Sequence, residues 1–184
     1  MIERSTNLAK IATQHQPHAS VVADNLSLPH PLKSFDFAIS IAVIHHLSTP
    51  ARRIEAVKAV LDLLRPQVAG QSRIGGKALI YVWALEQKDS RRGWDEGHEQ
   101  DVMVPWVMKG KKEKPARKEQ SQKAQEVTTE KEGPPAHTQD KTFLRYYHLY
   151  KKGELEHDIE EAGGEVVESG YEKDNWWAIA TLKT

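Results

Sequence analysis

The feature that most constrains the fold of this chain is a nearly unbroken apolar run over residues 35–44. Such a run is typical of a central parallel strand that is covered on both faces, because a half-exposed strand would alternate apolar and polar residues. Thr49 and Pro50 then suit the cap and first position of a helix that ends before Pro66. A second apolar run follows at 76–84. Strand, helix and strand in this order predict a parallel α/β sheet.

The same pattern continues toward both ends of the chain. A helix capped by Ser5 or Thr6 precedes residues 19–24, which predict a buried strand that ends on a carboxylate. Near the other end, a helical stripe closed by Gly163 precedes two short strands, at 166–167 and 176–182. We expect these last two strands to be antiparallel.

Residues 109–140 interrupt the pattern. Six basic residues and one acidic residue stand between Lys109 and Lys118, and a segment rich in Glu, Gln, Lys and Pro follows. Such a composition cannot bury enough apolar surface to order itself, so we predict a disordered insert at about 109–140. The 184 residues otherwise suit one domain.

Composition excludes several classes of protein. Lys and Arg together number 26 and so do Asp and Glu, so any attraction to nucleic acid must come from local patches. Cysteine is absent, which excludes disulfides and thiolate metal sites within the chain. No apolar run has the length of a membrane span, and we expect no membrane partner and a cytoplasmic or nuclear location.

Acidic residues follow two of the predicted strands. Ligands of open α/β sheets bind beyond the carboxyl ends of the strands, where Glu3, Asp24 and residues 40–46 and 83–86 stand. One carboxylate can accept both hydroxyls of a ribose, and Asp24 can accept from an adenine amino group. Taken alone, Glu3 equally suits a solvated position and Asp24 a turn former. The order of acids, strands and helices resembles a class I methyltransferase from its second strand onward.

Several short segments carry a more specific resemblance. They are Ser-Ile-Ala-Val-Ile-His-His at 40–46, Ala-Leu-Ile-Tyr-Val-Trp-Ala-Leu-Glu-Gln at 78–87, Gln-Asp-Val-Met-Val-Pro-Trp at 100–106, Arg-Tyr-Tyr-His-Leu-Tyr at 145–150, Gly-Glu-Leu at 153–155 and Asp-Asn-Trp-Trp at 174–177. In this order they resemble the eukaryotic tRNA carboxymethyluridine methyltransferases, which include the fungal tRNA methyltransferase and the methyltransferase domain of the animal AlkB-like enzyme. The resemblance covers the chain except the insert.

The resemblance implies a partial methyltransferase domain over residues 1–184. Because residues 2–5 resemble the end of the second strand, the expected Rossmann-like sheet lacks the first strand and most of the second. The glycine-rich loop that follows the first strand would be missing too, through truncation or a different start site. Since only glycines allow the backbone to approach the cofactor there, we expect the chain alone to be nearly inactive.

The implied reaction uses S-adenosylmethionine to form the methyl ester of 5-carboxymethyluridine at the wobble position of tRNA. The attacking carboxylate is already ionised at neutral pH, so orientation is the main catalytic resource. His46 is the candidate for holding the uridine, and Arg145 for binding a carboxylate or phosphate. The pair of His45 and His46 equally suits one core histidine and a helix cap. It is not expected to bind metal, because adjacent residues on a strand point to opposite faces.

Further site residues are expected at the strand ends and in the polar loop after residue 86. The expected cofactor-binding residues are Glu3, Asp24, Ser40 and Ile41. The expected tRNA contacts are Arg91, Arg92, Trp94 and Tyr147. RNA recognition favours cations and aromatic planes on which splayed bases stack.

The resemblance also implies a partner, a small zinc-binding activator protein that forms a heterodimer and covers an apolar sheet edge. Two alternatives stay open. One is a catalytically inactive fragment that binds the tRNA anticodon stem-loop. The other is a nicotinamide-dependent Rossmann enzyme, in which the His-His and Tyr-Tyr-His signatures are not expected.

Overall fold

The structure is a computed structural model that describes residues 1–15, 19–68, 75–90, 92–108 and 140–183. The insert predicted at about 109–140 lies outside these ranges except for Asp140. The elements in chain order are β1 (Ile2–Glu3), α1 (Thr6–Ala12), β2 (Val21–Val22), β3 (Phe37–Ile41), a 3₁₀ turn (Ile44–His46), α2 (Pro50–Leu61), β4 (Lys77–Trp83), β5 (Asp101–Met108), β6 (Lys141–His148), α3 (Glu154–Glu161), β7 (Gly164–Glu172) and β8 (Asn175–Leu182). None of the described helices is long and apolar enough to cross a membrane.

The strands form a mixed α/β arrangement. β1 pairs with β2 in parallel, and a second sheet has the order β3-β4-β8-β7. β3 and β4 are parallel, whereas β8 is antiparallel to both β4 and β7. The predicted strand, helix, strand order and the antiparallel end of the chain are therefore both confirmed.

Helix α2 begins where its sequence predicts. Thr49 Oγ1 accepts a hydrogen bond from Arg52 N at 3.4 Å, and Pro50 takes the first helical position, where no amide hydrogen is needed. One face of the helix then enters the core, in which Val57, Leu61 and Ile80 are fully buried. Full burial of side chains of this size stabilises the fold by about 1.5–3 kcal/mol each. Helix α3 packs into the same core through Leu155 and Ile159.

The described residues form two compact units. The first comprises Met1–Met103 and Tyr146–Thr184, and the second comprises Val104–Arg145. Strands β5 and β6 pair with each other, and the sequence interpretation missed both. Their Val, Trp, Phe and Tyr residues favour strands, but Pro105 and the apolar residues on both faces hide the alternation that marks a half-buried strand.

Two expectations about burial were wrong. β3 was expected to be covered on both faces, yet Phe37, Ile39 and Ile41 are 54%, 58% and 57% exposed. β2 was expected to be buried, yet Val22 is 50% exposed. The reason is that among the described strands β3 pairs only with β4 and β2 only with β1. The result is an apolar sheet edge of the kind expected for a sheet without its first strand.

Candidate active site

Two carboxylates lie at the carboxyl ends of β1 and β2. Ala23 N donates to Glu3 O at 3.2 Å, which brings Glu3 and Asp24 to the same edge of this small sheet. Glu3 Oε1 accepts from Ser5 N at 2.8 Å, and Asp24 Oδ1 accepts from Leu26 N at 3.0 Å. Asp24 is therefore a turn former, as its type suggested. The second oxygen of each carboxylate accepts no hydrogen bond from the described residues.

An unpaired donor stands beside these carboxylates. Asn25 Nδ2 is buried and has no hydrogen-bond partner among the described residues. A buried amide without a partner is costly, which suggests a ligand acceptor at this position. Glu3 suits two ribose hydroxyls, Asp24 an adenine amino group and Asn25 an adenine ring nitrogen. These residues thus fit the nucleoside end of S-adenosylmethionine, and the sequence gave no sign of Asn25 beyond its position after Asp24.

The backbone is strained where β3 ends. Ser40 is buried and its Oγ has no partner in the described part of the chain, whereas Ile41 is exposed. Ala42 has a φ of 58°, in the left-handed region that non-glycine residues rarely adopt. Its amide still donates to Tyr81 O at 3.1 Å, so the strain is confined to the bend. Strained residues of this kind cluster at functional sites, and here the bend leads directly into the 3₁₀ turn.

His45 is a core histidine. Its side chain is fully buried, and Nδ1 accepts a hydrogen bond from Trp83 N at 3.0 Å. Burial, with smaller contributions from the charges of His46 and His148, lowers the pKa of His45 to about 3. His45 is therefore neutral at physiological pH. The core interpretation is confirmed for this residue.

His46 is exposed and differs from its neighbour. Its Nδ1 lies 2.9 Å from Tyr146 O, and because a carbonyl only accepts, Nδ1–H is the donor. Nε2 makes no hydrogen bond to the described residues. The two histidines lie on a 3₁₀ turn and not on a strand tip, so the reason given above for excluding a metal pair was wrong. Their rings meet edge to face at 4.6 Å. The described residues contain no group of three or more His, Asp or Glu side chains that could hold a metal.

Five rings form what we call the aromatic cluster: His45, His46, Trp83, Trp94 and Tyr147. Tyr147 is 8% exposed and stacks on Trp83, with ring centroids 4.3 Å apart and planes at 12°. It also contacts His46 at 4.4 Å. Trp94 lies 6.4 Å from Trp83. The cluster places an exposed imidazole next to large aromatic rings at the carboxyl ends of β3 and β4.

A network of charged residues supports the cluster, and we call it the carboxylate network: Arg53, Asp101, His148, Glu154 and Asp158. His148 Nδ1 lies 2.8 Å from Asp101 Oδ1, and its Nε2 lies 2.7 Å from Glu154 Oε1. Burial alone would raise the pKa of Glu154, but hydrogen bonds from His148 and the Lys151 amide outweigh it and lower that pKa. Burial raises the pKa of Asp158.

The network also reaches His46. The Tyr146 hydroxyl donates to Asp101 Oδ1, and the carbonyl of the same tyrosine accepts from His46. Burial and the hydrogen bond to Asp101 raise the pKa of Tyr146 to about 12. The network was not predicted, although the Tyr-Tyr-His and Gly-Glu-Leu segments contain several of its members.

The other predicted site residues lie in different places. The Arg92 guanidinium lies 5.1 Å from the Trp94 ring centre and 5.7 Å from that of Trp83. Arg145 belongs to the second unit, where its guanidinium lies 4.6 Å from the Trp106 ring centre. Arg91 lies outside the described residues.

Comparisons with known proteins agree with this geometry. Residues 1–67 match a family described as a methyltransferase domain. The tRNA (carboxymethyluridine(34)-5-O)-methyltransferase of Schizosaccharomyces pombe is 48% identical over 97% of this chain and 69% of its own length. Its Saccharomyces cerevisiae counterpart is 40% identical over 97% of the chain and 74% of its own length.

Solved structures support the fold. An S-adenosylmethionine-dependent methyltransferase from Clostridium acetobutylicum matches with a TM-score of 0.59 and 11% identity, covering 100% of this chain and 74% of that one. At such low identity the match concerns the fold alone, and it confirms the class I methyltransferase architecture. Identity of 40–48% over most of the chain decides the family. The chain belongs to the tRNA (carboxymethyluridine(34)-5-O)-methyltransferase family.

Proposed function

We propose that this chain transfers a methyl group to the carboxymethyl group of the wobble uridine in tRNA, forming its methyl ester. The observation that carries the proposal is His46, an exposed imidazole with a free Nε2 that lies among aromatic rings at the carboxyl ends of two parallel strands. Membership of the family favours this reaction over the alternative of an inactive tRNA-binding fragment.

S-adenosylmethionine is the cofactor of this reaction. When bound, it supplies a methyl group made electrophilic by the adjoining sulfonium. Glu3, Asp24 and Asn25 would hold its nucleoside end, as their free acceptors and donor allow. Ser40 and Ile41 stay predicted contacts at the end of β3.

The substrate carboxylate is the nucleophile, and no side chain has to remove a proton from it. His46 can position the uridine in either of two ways. Neutral, its Nε2 accepts from the N3–H of uracil; protonated, Nε2 donates to the carboxylate. The neighbouring Tyr147 and Trp83 rings exclude water from one side of this position, which favours attack by a partly desolvated carboxylate.

The anticodon stem-loop is the proposed tRNA partner. Arg92 and Trp94 support this, since a guanidinium stacked on an indole offers both charge and a flat surface to a splayed base. Tyr147 is nearly buried, so its proposed contribution is to support His46 from behind. Contacts by Arg91 and Arg145 stay predictions.

We also propose a heterodimer with a small zinc-binding activator protein. The exposed Phe37, Ile39 and Ile41 on β3 support a partner that covers apolar surface. A cytoplasmic or nuclear location is proposed on the absence of cysteine from the sequence.

The test of the function is methyl transfer from radiolabelled S-adenosylmethionine to an anticodon stem-loop that carries carboxymethyluridine. The assay uses the 184-residue chain and a longer version in which a first strand and glycine-rich loop from the S. pombe relative precede Met1, each with and without the activator. We expect transfer by the longer version and a loss of about tenfold or more when His46 is replaced by alanine. Full transfer to a stem-loop that carries unmodified uridine, or none to the carboxymethyl form in any arm, would contradict the proposal.

Replacing Asp24 by alanine tests the cofactor contact independently of turnover. We expect the affinity for S-adenosylhomocysteine, measured by calorimetry on the longer version, to fall by about tenfold to a hundredfold, the effect of one lost hydrogen bond to a charged group. Asp36→Ala, a change of the same type outside this edge, is the control. Unchanged affinity of the Asp24 variant would leave Asp24 as a turn former only.

A further inference from the structure

A cavity of about 290 Å³ lies next to the aromatic cluster within the first unit. Its lining includes an indole, two cations, a carboxylate and neutral polar groups, namely Trp83, Arg92, Lys173, Asp174, Ser90 and Asn175. We propose that it binds the nucleotide next to the wobble uridine in the anticodon loop. This inference rests on the proposed function and adds a second nucleotide site to it.

Arg92 is the strongest argument for a nucleotide. Its guanidinium lies over the rings of both Trp83 and Trp94, and it forms no ion pair with any residue that the structure describes. The Arg92 amide donates to Ser90 Oγ at 3.3 Å, which anchors the loop at this point. A guanidinium held by stacking keeps its N–H groups available for a phosphate, while its plane and the indoles can stack a base.

The turn between β7 and β8 supplies the opposite wall. Lys173 and Asp174 have φ values of 46° and 66°, in a hairpin turn where Asn or Gly is the usual choice. Asn175 Nδ2 donates to Lys173 O at 2.6 Å, and the Tyr171 hydroxyl donates to Glu86 O at 2.6 Å. These bonds hold a strained turn against the segment that follows β4. The strain brings a lysine and a carboxylate to the cavity where glycine would bring neither.

The charges of this wall suit ribose and phosphate. Lys173 Nζ lies 3.7 Å from Glu172 Oε1, an exposed pair that binds weakly and can release the lysine to a phosphate. Asp174 accepts from Tyr171 at 3.2 Å and has further lone pairs for a ribose 2′-hydroxyl. A 2′-hydroxyl contact would also distinguish RNA from DNA.

Size and position select the occupant. The volume is at the small end of the range for ligand sites, which suits one nucleotide and not a stack of several bases. Trp83 belongs both to this cavity and to the aromatic cluster that contains His46. A nucleotide in the cavity is therefore a direct neighbour of a uridine held at His46.

The test measures binding of fluorescent anticodon stem-loops to the 184-residue chain by anisotropy, which needs no methyl transfer. Arg92→Ala and Lys173→Ala are compared with Lys10→Ala and Arg52→Ala, which remove one exposed positive charge elsewhere in the same unit. Stem-loops with an abasic site on either side of the wobble position probe the base contact. Thermal unfolding of each variant verifies that it is folded.

We expect Arg92→Ala to weaken binding by about tenfold or more, against about twofold for either control. One of the two abasic stem-loops should bind the wild-type chain more weakly and the Arg92 variant with no further loss. Equal losses in Arg92→Ala, Lys173→Ala and the controls would overturn the inference, as would a full abasic effect in the Arg92 variant. Either result leaves the proposed function intact, which fails only if the methyl transfer assay fails.

Discussion

Replacing Arg53 by alanine is expected to lower the free energy of unfolding by about 3–5 kcal/mol, the usual cost of removing one partner from a buried ion pair. Arg53 is 4% exposed and Asp158 is 3% exposed. Arg53 Nη2 lies 3.6 Å from Glu154 Oε1, and Nε lies 3.9 Å from Asp158 Oδ2. Without the guanidinium, Asp158 has only the Tyr150 hydroxyl, at 2.9 Å, to oppose its burial.

Urea unfolding at neutral pH measures this effect, with Arg52→Ala as the matched control. Arg52 is adjacent in sequence but exposed on α2, so its loss should change stability by less than about 0.5 kcal/mol. The double variant Arg53→Ala with Asp158→Asn should recover part of the loss, because the amide is neutral and still accepts from Tyr150. A loss below about 1 kcal/mol for Arg53→Ala would mean that water reaches this network.

Acidification from pH 7 to pH 5 is expected to destabilise the fold by about 2 kcal/mol through His45 alone. The pKa of His45 is about 3 in the folded chain, against an ordinary value of 6.5. Because the unfolded state binds the proton more readily, the stability is complete above pH 6.5 and is lost as the pH falls toward 3. Protonation would also break the bond from Trp83 N to Nδ1.

The measurement compares the pH dependence of unfolding for the wild-type chain and for His45→Gln, which keeps an acceptor but does not titrate. The lowered pKa values of Asp101 and Glu154 also reduce stability in acid, but mostly below the ordinary pKa values of carboxyl groups, and they act in both chains. The difference between the two curves therefore isolates His45. Parallel curves between pH 7 and pH 5 would show that His45 is not held neutral by the fold.

The fold was predictable where its signals are local. The apolar run around β3, the Thr49 cap of α2 and the stripe of α3 depend on residues close together in the chain, and all three elements were found. β5 and β6 were not predicted, because each forms its hydrogen bonds with the other across the intervening residues. Their pairing carries no local periodicity that the sequence could display.

The site was predictable in its residue types more than in its contacts. Glu3, Asp24 and His46 were chosen because they follow predicted strands, and the structure places all three at strand ends. The different states of His45 and His46 could not be predicted. Burial and the Trp83 amide determine one, and the Tyr146 carbonyl determines the other.

The sequence by itself determined the α/β order, the helix caps, the acids at the strand ends and, through its motifs, the family, since all of these depend on residue type and short spacing. Only the tertiary structure decided that Tyr147 stacks on Trp83, that His148 lies between two carboxylates and that Arg92 faces Lys173 across a cavity. These contacts join residues far apart in the chain. Their formation depends on how the core packs α2, α3 and β4 together, which no local pattern encodes.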